Sequence, residues 1–112
     1  MIRLYQAEWC PHSHRVRQRL TELGLDFVAH QVPVDRADRT ELEGATGQRS
    51  IPTLVLEDGT IVSGDDEIIA TLDERFPEPP EAARHRQKAI EEWPEWVRLA
   101  SAGEANAPPP TE

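Results

Sequence analysis

The sequence predicts a mixed α/β domain: a four-stranded sheet flanked by helices, in the order β-α-β-α-β-β-α, with one further helix after it. Three observations carry this expectation. Short β-rich runs alternate with amphipathic stretches over residues 2–76. Two of the strands are separated by a helix, which implies a right-handed crossover and parallel pairing. Asp58-Gly59 stands between two short apolar runs and marks a hairpin, hence an antiparallel pair. At 112 residues the chain holds one domain and one modest core.

Each element has its own signal. Residues 2–6 read as the first strand, and residues 7–11 break it. Over residues 13–23, Val16, Leu20 and Leu23 recur at helical spacing, which leaves Arg15, Arg17, Gln18, Arg19 and Glu22 to face water. Pro11 suits a first helical turn, where its missing N–H would be unpaired anyway. Gly24 looks like the C-cap. Residues 27–32 form a second strand, and residues 38–43 a short helix with Asp38 as its cap and Gly44 and Gly47 at its exit. Residues 53–56 and 60–62 make the hairpin strands. From Asp65 onward, Ile68, Ile69, Leu72 and Phe76 repeat at helical spacing, with Asp65 or Asp66 as cap and Pro77-Glu78-Pro79-Pro80 as the stop. Residues 81–100 are helical in pattern, and Pro94 should break or kink them. Trp93, Trp96, Val97 and Ala100 can form an apolar stripe, and the pattern leaves open whether Trp93 and Trp96 cover the domain, form a dimer contact or dock on a partner. The division is residues 1–77 for the α/β domain, 78–102 for a helical extension, and 103–112 for a small, proline-rich tail that reads as disordered.

Composition narrows the function. The net charge of -9, from 21 acidic and 12 basic residues, repels phosphate backbones and excludes non-specific nucleic-acid binding. No apolar run approaches the ~20 residues of a membrane span, and the first residues lack the pattern of a signal peptide. The single cysteine forms no internal disulfide and no multi-thiolate zinc site, which points to a reducing compartment, the cytoplasm.

That cysteine lies in Trp9-Cys10-Pro11-His12-Ser13-His14-Arg15-Val16, after a strand and at the start of a helix. The positive end of a helix and its unpaired N–H groups favour an anion, and a thiolate is one. His12, His14 and Arg15 add positive charge in the same turn. The alternative is a buried structural cysteine, although such a residue would fall on the Val16/Leu20 face. His12 and His14 are otherwise solvent-facing. With only His30 and His85 as further histidines, no metal site is assembled. A second cluster, Thr46-Gly47-Gln48-Arg49-Ser50-Ile51-Pro52-Thr53, places a proline just before a strand. It can hold a cis peptide and set the Ile51 backbone at a turn, or be an ordinary strand-entry proline. A third, Ser63-Gly64-Asp65-Asp66, sets two carboxylates at a helix start, where they can cap the helix or hold an ammonium group.

Together these clusters resemble the glutaredoxins and the glutaredoxin-like N-terminal domain of glutathione S-transferases, both of thioredoxin-like fold. The resemblance runs over residues 2–76. Cys10-Pro11-His12-Ser13 is similar to the family's Cys-Pro-x-Cys or Cys-Pro-x-Ser turn. The segment ending at Pro52 is similar to the one that carries its cis-proline, and Gly64-Asp65-Asp66 to its γ-glutamyl site. The resemblance implies glutathione or a related thiol as cosubstrate, with Cys10 as nucleophile in a turn completed by Pro11 and Ser13. It also implies that Trp9 and His12 border the thiol, that the Ile51 backbone beside Pro52 pairs with its cysteinyl part, and that Gly64, Asp65 and Asp66 hold its γ-glutamyl end. Gln48 or Arg49 would meet the glycyl carboxylate.

Two departures shape the expected activity. Ser13 replaces the second cysteine, so only a monothiol cycle is open. Ala7 and Glu8 stand where glutaredoxins often carry a lysine, which weakens the electrostatic support for the thiolate. The leading expectation is a monothiol glutaredoxin-like oxidoreductase. It would act on small thiols and glutathionylated proteins as a monomer or weak dimer, with no nucleic-acid or membrane partner. The alternatives are a transferase-like N-terminal domain that lacks the helical partner domain, and a non-enzymatic thiol-binding or iron–sulfur module.

Overall fold

A computed structural model describes residues 1–105. Its sheet is built on β1 (Ile2–Gln6), which pairs in parallel with β2 (Phe27–Gln31) from Ile2 opposite Phe27 to Gln6 opposite Gln31. On its other side β1 pairs antiparallel with β3 (Thr53–Val55), and β3 with β4 (Ile61–Ser63), giving the order β2-β1-β3-β4. This is the mixed four-stranded sheet that the crossover and hairpin signals predict, in the thioredoxin-like form that the resemblance implies. The hairpin turn closes through a hydrogen bond from the Gly59 N–H to the Leu56 carbonyl at 2.9 Å. Gly59 sits at φ 89°, a conformation that a side chain would strain.

Strand alternation sorts the core into two faces. Ile2 and Leu4 of β1 and Leu54 of β3 point to one face. There they pack with Val16, Leu20 and Leu23 from α1 (Pro11–Glu22) and its end, and with Ile68 and Leu72 from α3 (Asp65–Arg75). Tyr5 and Val55 point to the opposite face and pack on Leu42 of α2 (Thr40–Thr46). α1 and α3 therefore cover one side of the sheet and α2 the other. Last comes α4 (Ala82–Ala105), which packs against α1.

Several local expectations change. Glu22 does not face water. It is 6% exposed beneath α4, where Arg19 at 2.9 Å, Gln18 at 3.0 Å and Arg86 at 3.2 Å saturate its carboxylate. Burial alone would raise its pKa, but these partners hold it below the usual carboxylate range. Arg17 and Arg19 are likewise half-buried. α2 begins two residues later than Asp38, which instead closes a one-turn 3-10 helix (Arg36–Asp38), and its N-cap is Arg39 with no side-chain cap bond. Gly44 lies inside α2, and Gly47 alone ends it at φ 80°. α3 is capped by Gly64, with Asp65 and Asp66 already in its first turn.

α4 runs unbroken through Pro94. The missing N–H and the ring cost one helical hydrogen bond, yet the helix continues to Ala105. The apolar stripe is only half covered: Trp93, Trp96 and Val97 are 50%, 47% and 41% exposed. The helix also carries Gly103 to Ala105, the first residues of the expected tail, while 106–112 lie outside the described residues. Among the described residues, no helix is long and apolar enough to cross a membrane.

Candidate functional site

The topology gathers the three sequence clusters at one end of the sheet. β1 runs out of the core toward Cys10. β3 starts beside the end of β1, with Thr53 opposite Tyr5, and β4 finishes beside the start of β3, with Ser63 opposite Thr53. Cys10, Pro52 and Gly64 thus stand at the ends of three adjacent strands.

Cys10 is the N-cap of α1. Its Sγ accepts a hydrogen bond from the Ser13 N–H at 3.5 Å, and its carbonyl accepts one from the His14 N–H at 3.0 Å. The sulfur takes the place that a serine or aspartate oxygen occupies in an ordinary cap. Against the expectation that a buried cysteine would fall on the Val16/Leu20 face, Cys10 is itself buried at this helix start, at 6% exposed. Ser13 is fully buried, and its hydroxyl accepts from the Ala7 N–H at 3.4 Å. It therefore pins the strand-to-helix turn from inside. Arg17 holds the same turn from outside, reaching the Gln6 side chain, the Ala7 carbonyl at 3.5 Å and Glu8 at 3.0 Å.

The Ile51–Pro52 peptide bond is cis. The Pro52 carbonyl accepts from the Gly64 N–H at 3.0 Å, and the Thr53 and Ser63 hydroxyls lie 2.9 Å apart, which joins the second cluster to the third. Ile51's own N–H has no hydrogen-bond partner among the described residues. Gln48 and Arg49 do not stand free. Gln48 bonds Thr53 Oγ1 at 2.6 Å and Thr46 Oγ1 at 3.2 Å, and Arg49 pairs with Glu43 and donates to the Ala37 carbonyl.

Asp65 and Asp66 are also occupied. His12 Nδ1 lies 3.1 Å from Asp65 Oδ2, and Arg15 Nη1 reaches Asp65 Oδ2 at 3.0 Å and Asp66 Oδ1 at 2.5 Å. Arg15 first, and then His12, hold the Asp65 carboxyl below its ordinary range. This bridge fastens the first turn of α1 to that of α3. The charges of the two segments were visible in the sequence, but their pairing with one another was not.

Two features were missed. The pair Trp93–Trp96 stacks at 4.7 Å with 7° between the rings, and Trp93 tilts against His14 at 6.4 Å. With Glu8, Trp9, Cys10 and Pro11 these side chains line a cleft of about 410 Å³ beside the thiol. The spacing of the tryptophans was legible in the sequence, but the end of α1 that they overhang was not. The second missed residue is Arg39, buried beneath the cis-proline loop. Among the described residues no group of three His, Cys, Asp or Glu side chains is placed to hold a metal ion.

A thioredoxin-like sheet with a cysteine capping its first helix and a cis-proline alongside defines a class of thiol-handling domains. Comparison with known proteins is specific within that class. Residues 4–80 match the family described as glutathione S-transferase, N-terminal domain, and the chain belongs to that family. It is 30% identical over 74 residues to glutaredoxin 3 of Escherichia coli, covering 66% of this chain and 87% of that protein. Among solved structures, a glutathione S-transferase from Rhodospirillum rubrum matches at 29% identity with a TM-score of 0.60, over 83% of this chain and 44% of that one. A glutathione S-transferase domain-containing protein from Marinobacter aquaeolei matches at 27% identity with a TM-score of 0.57, over 79% and 48%. The chain thus spans about half the length of these solved relatives, but most of the glutaredoxin.

Proposed function

We propose that this domain is a monothiol, glutathione-dependent thiol–disulfide oxidoreductase of the cytoplasm. The observation that carries this reading is the Cys10 sulfur in the N-cap of α1, accepting the Ser13 N–H. The Cys10 thiolate attacks the glutathionyl sulfur of a mixed disulfide. The disulfide breaks, and the substrate sulfur leaves as a thiolate and takes a proton from water. A second glutathione thiolate then attacks the glutathionyl sulfur held on Cys10, which releases oxidised glutathione and restores the Cys10 thiolate. Each step exchanges one S–S bond for another, so no outside oxidant is needed. With no second cysteine in the chain, the resolving thiol must come from solution.

In this reading residues 1–77 hold the thiol and residues 78–102 form an extension over it. The free Ile51 N–H beside cis-Pro52 pairs with the cysteinyl backbone of glutathione. The Asp65/Asp66 pair meets the γ-glutamyl ammonium next to Arg15. Arg49 Nη2, which has no partner among the described residues, turns to the glycyl carboxylate, with Gln48 behind it. Pro11, His12 and Trp9 border the sulfur, and Ser13 and Gly64 shape the two turns. The protein partners are glutathionylated chains, met by a monomer or a weak dimer.

The test is reduction of a glutathionylated peptide coupled to glutathione recycling. Cys10→Ser should abolish turnover while His12→Ala retains it, and an unaffected Cys10→Ser protein overturns the reading. One observation favours a second reading, glutathione transfer to an aryl electrophile: the tryptophan-lined cleft opens beside Cys10. Conjugation of glutathione to a generic aryl halide tests it, and a rate no faster than the uncatalysed one sets it aside.

A further inference from the structure

Arg39 is 7% exposed, yet no carboxylate faces its guanidinium among the described residues. It spends its donors on three backbone carbonyls. Nε bonds Pro33 at 2.9 Å, Nη2 bonds Val34 at 3.1 Å, and Nη1 bonds Arg49 at 3.0 Å. A buried cation costs desolvation, and well-aimed acceptors on three of its five N–H donors offset part of it. A fork of donors in one plane can clamp three carbonyls from two separate segments, which the point charge of a lysine cannot reproduce. The segments clamped here are the connection after β2 and the loop that leads into cis-Pro52. Arg49 lies only two residues before Ile51. The other bonds of that loop come from Gln48 within it, from Thr53 of its own strand, and from Thr46 at the end of α2. Arg39, at the start of α2, ties it to the opposite layer of the domain together with Arg49's pairing to Glu43 and Ala37.

We infer that Arg39 is a positioning residue for thiol recognition: it sets the height and orientation of the 48–51 backbone so that Ile51 can pair with the cysteinyl part of the bound thiol. This inference rests on the glutathione-dependent reading above and deepens it. It predicts a binding defect that is separable from the chemistry at Cys10.

The experiment uses the full chain and compares wild type, Arg39→Met and Arg39→Lys on a glutathionylated peptide. Arg39→Met should raise KM about tenfold while kcat stays within about twofold, because misplacement of a binding backbone is felt in affinity before chemistry. Arg39→Lys should fall between the two. Alkylation of Cys10 by iodoacetamide, which needs no thiol site, should proceed at the wild-type rate in both. Exchange of the Ser50 amide, the one amide of residues 48–51 with a hydrogen-bond partner among the described residues, should quicken in both variants. A KM unchanged in a folded variant overturns the inference, as does unchanged exchange at Ser50. Should Arg39→Met fail to fold, Arg39→Lys supplies the same readouts. An inactive wild type would instead overturn the catalytic reading, and the exchange experiment would then decide alone whether Arg39 sets the loop.

Discussion

At the scale of single residues, the polar end of the site is shaped by Arg15. The sequence places it as a source of positive charge near Cys10, whereas its guanidinium is directed to Asp65 and Asp66. The Asp65 carboxyl is thereby held below its unfolded value of ~3.9. A depressed carboxylate contributes stability that is complete above the unfolded pKa and is lost as pH falls through the folded one. Arg15→Gln should therefore move the Asp65 titration upward, as read by carboxyl NMR, and should reduce the acid sensitivity of the contact between α1 and α3. An Asp65 titration that stays in place would show that His12 and the backbone carry the shift. Cys10 and Ser13 were both legible as a turn, but Ser13's burial was not, because a serine in sequence gives no sign of which side of the turn it faces.

At the scale of elements, the most readable parts were those with a local cause. β1 matches its predicted bounds, and the helix after it ends at Leu23 with Gly24 in the left-handed conformation that favours glycine. The hairpin adds a pH-dependent piece. The Thr60 side chain and backbone, and then Arg75, lower Asp58 to about 2. Its contribution should be present above ~3.9 and fade as pH falls toward the folded value, and NMR titration of Asp58 checks this directly. In the layer beneath, Leu20 is fully buried between α1 and the sheet. Leu20→Ala should cost about 2–5 kcal/mol in chemical denaturation, the usual range for a leucine deleted from a packed core. A loss below about 0.5 kcal/mol, the scatter of surface changes, would mean the site collapses around the gap.

At the scale of the whole molecule, α4 is the element whose meaning changed most. Its first turns lock onto α1 through the Glu22–Arg86 pair, and its later turns carry Trp93 and Trp96 over Cys10 at the start of α1. The tryptophans are half-exposed, so removing one should leave the fold intact. Trp96→Ala should weaken binding of a neutral aryl ligand about tenfold, as followed by quenching of the remaining tryptophan fluorescence. Reduction of a small glutathionylated peptide should change little. Equal loss in both assays would mean that the aromatic pair serves the thiol site itself.

The sequence by itself determined the layering of the domain and the single cysteine at the start of its first helix. Periodicity, turn residues and a single cysteine act locally, and each is written in a short window of chain. Only the tertiary structure decided what the charged side chains do. Glu22, Arg39, Arg49, Asp65 and Asp66 find partners as far as 64 residues away, and a guanidinium or carboxylate is committed by whichever opposite group or carbonyl the fold brings within hydrogen-bonding distance. The same holds for Trp93 and Trp96. Their helical spacing predicted a stripe, but only the packing of α4 on α1 decided that the stripe overhangs the thiol.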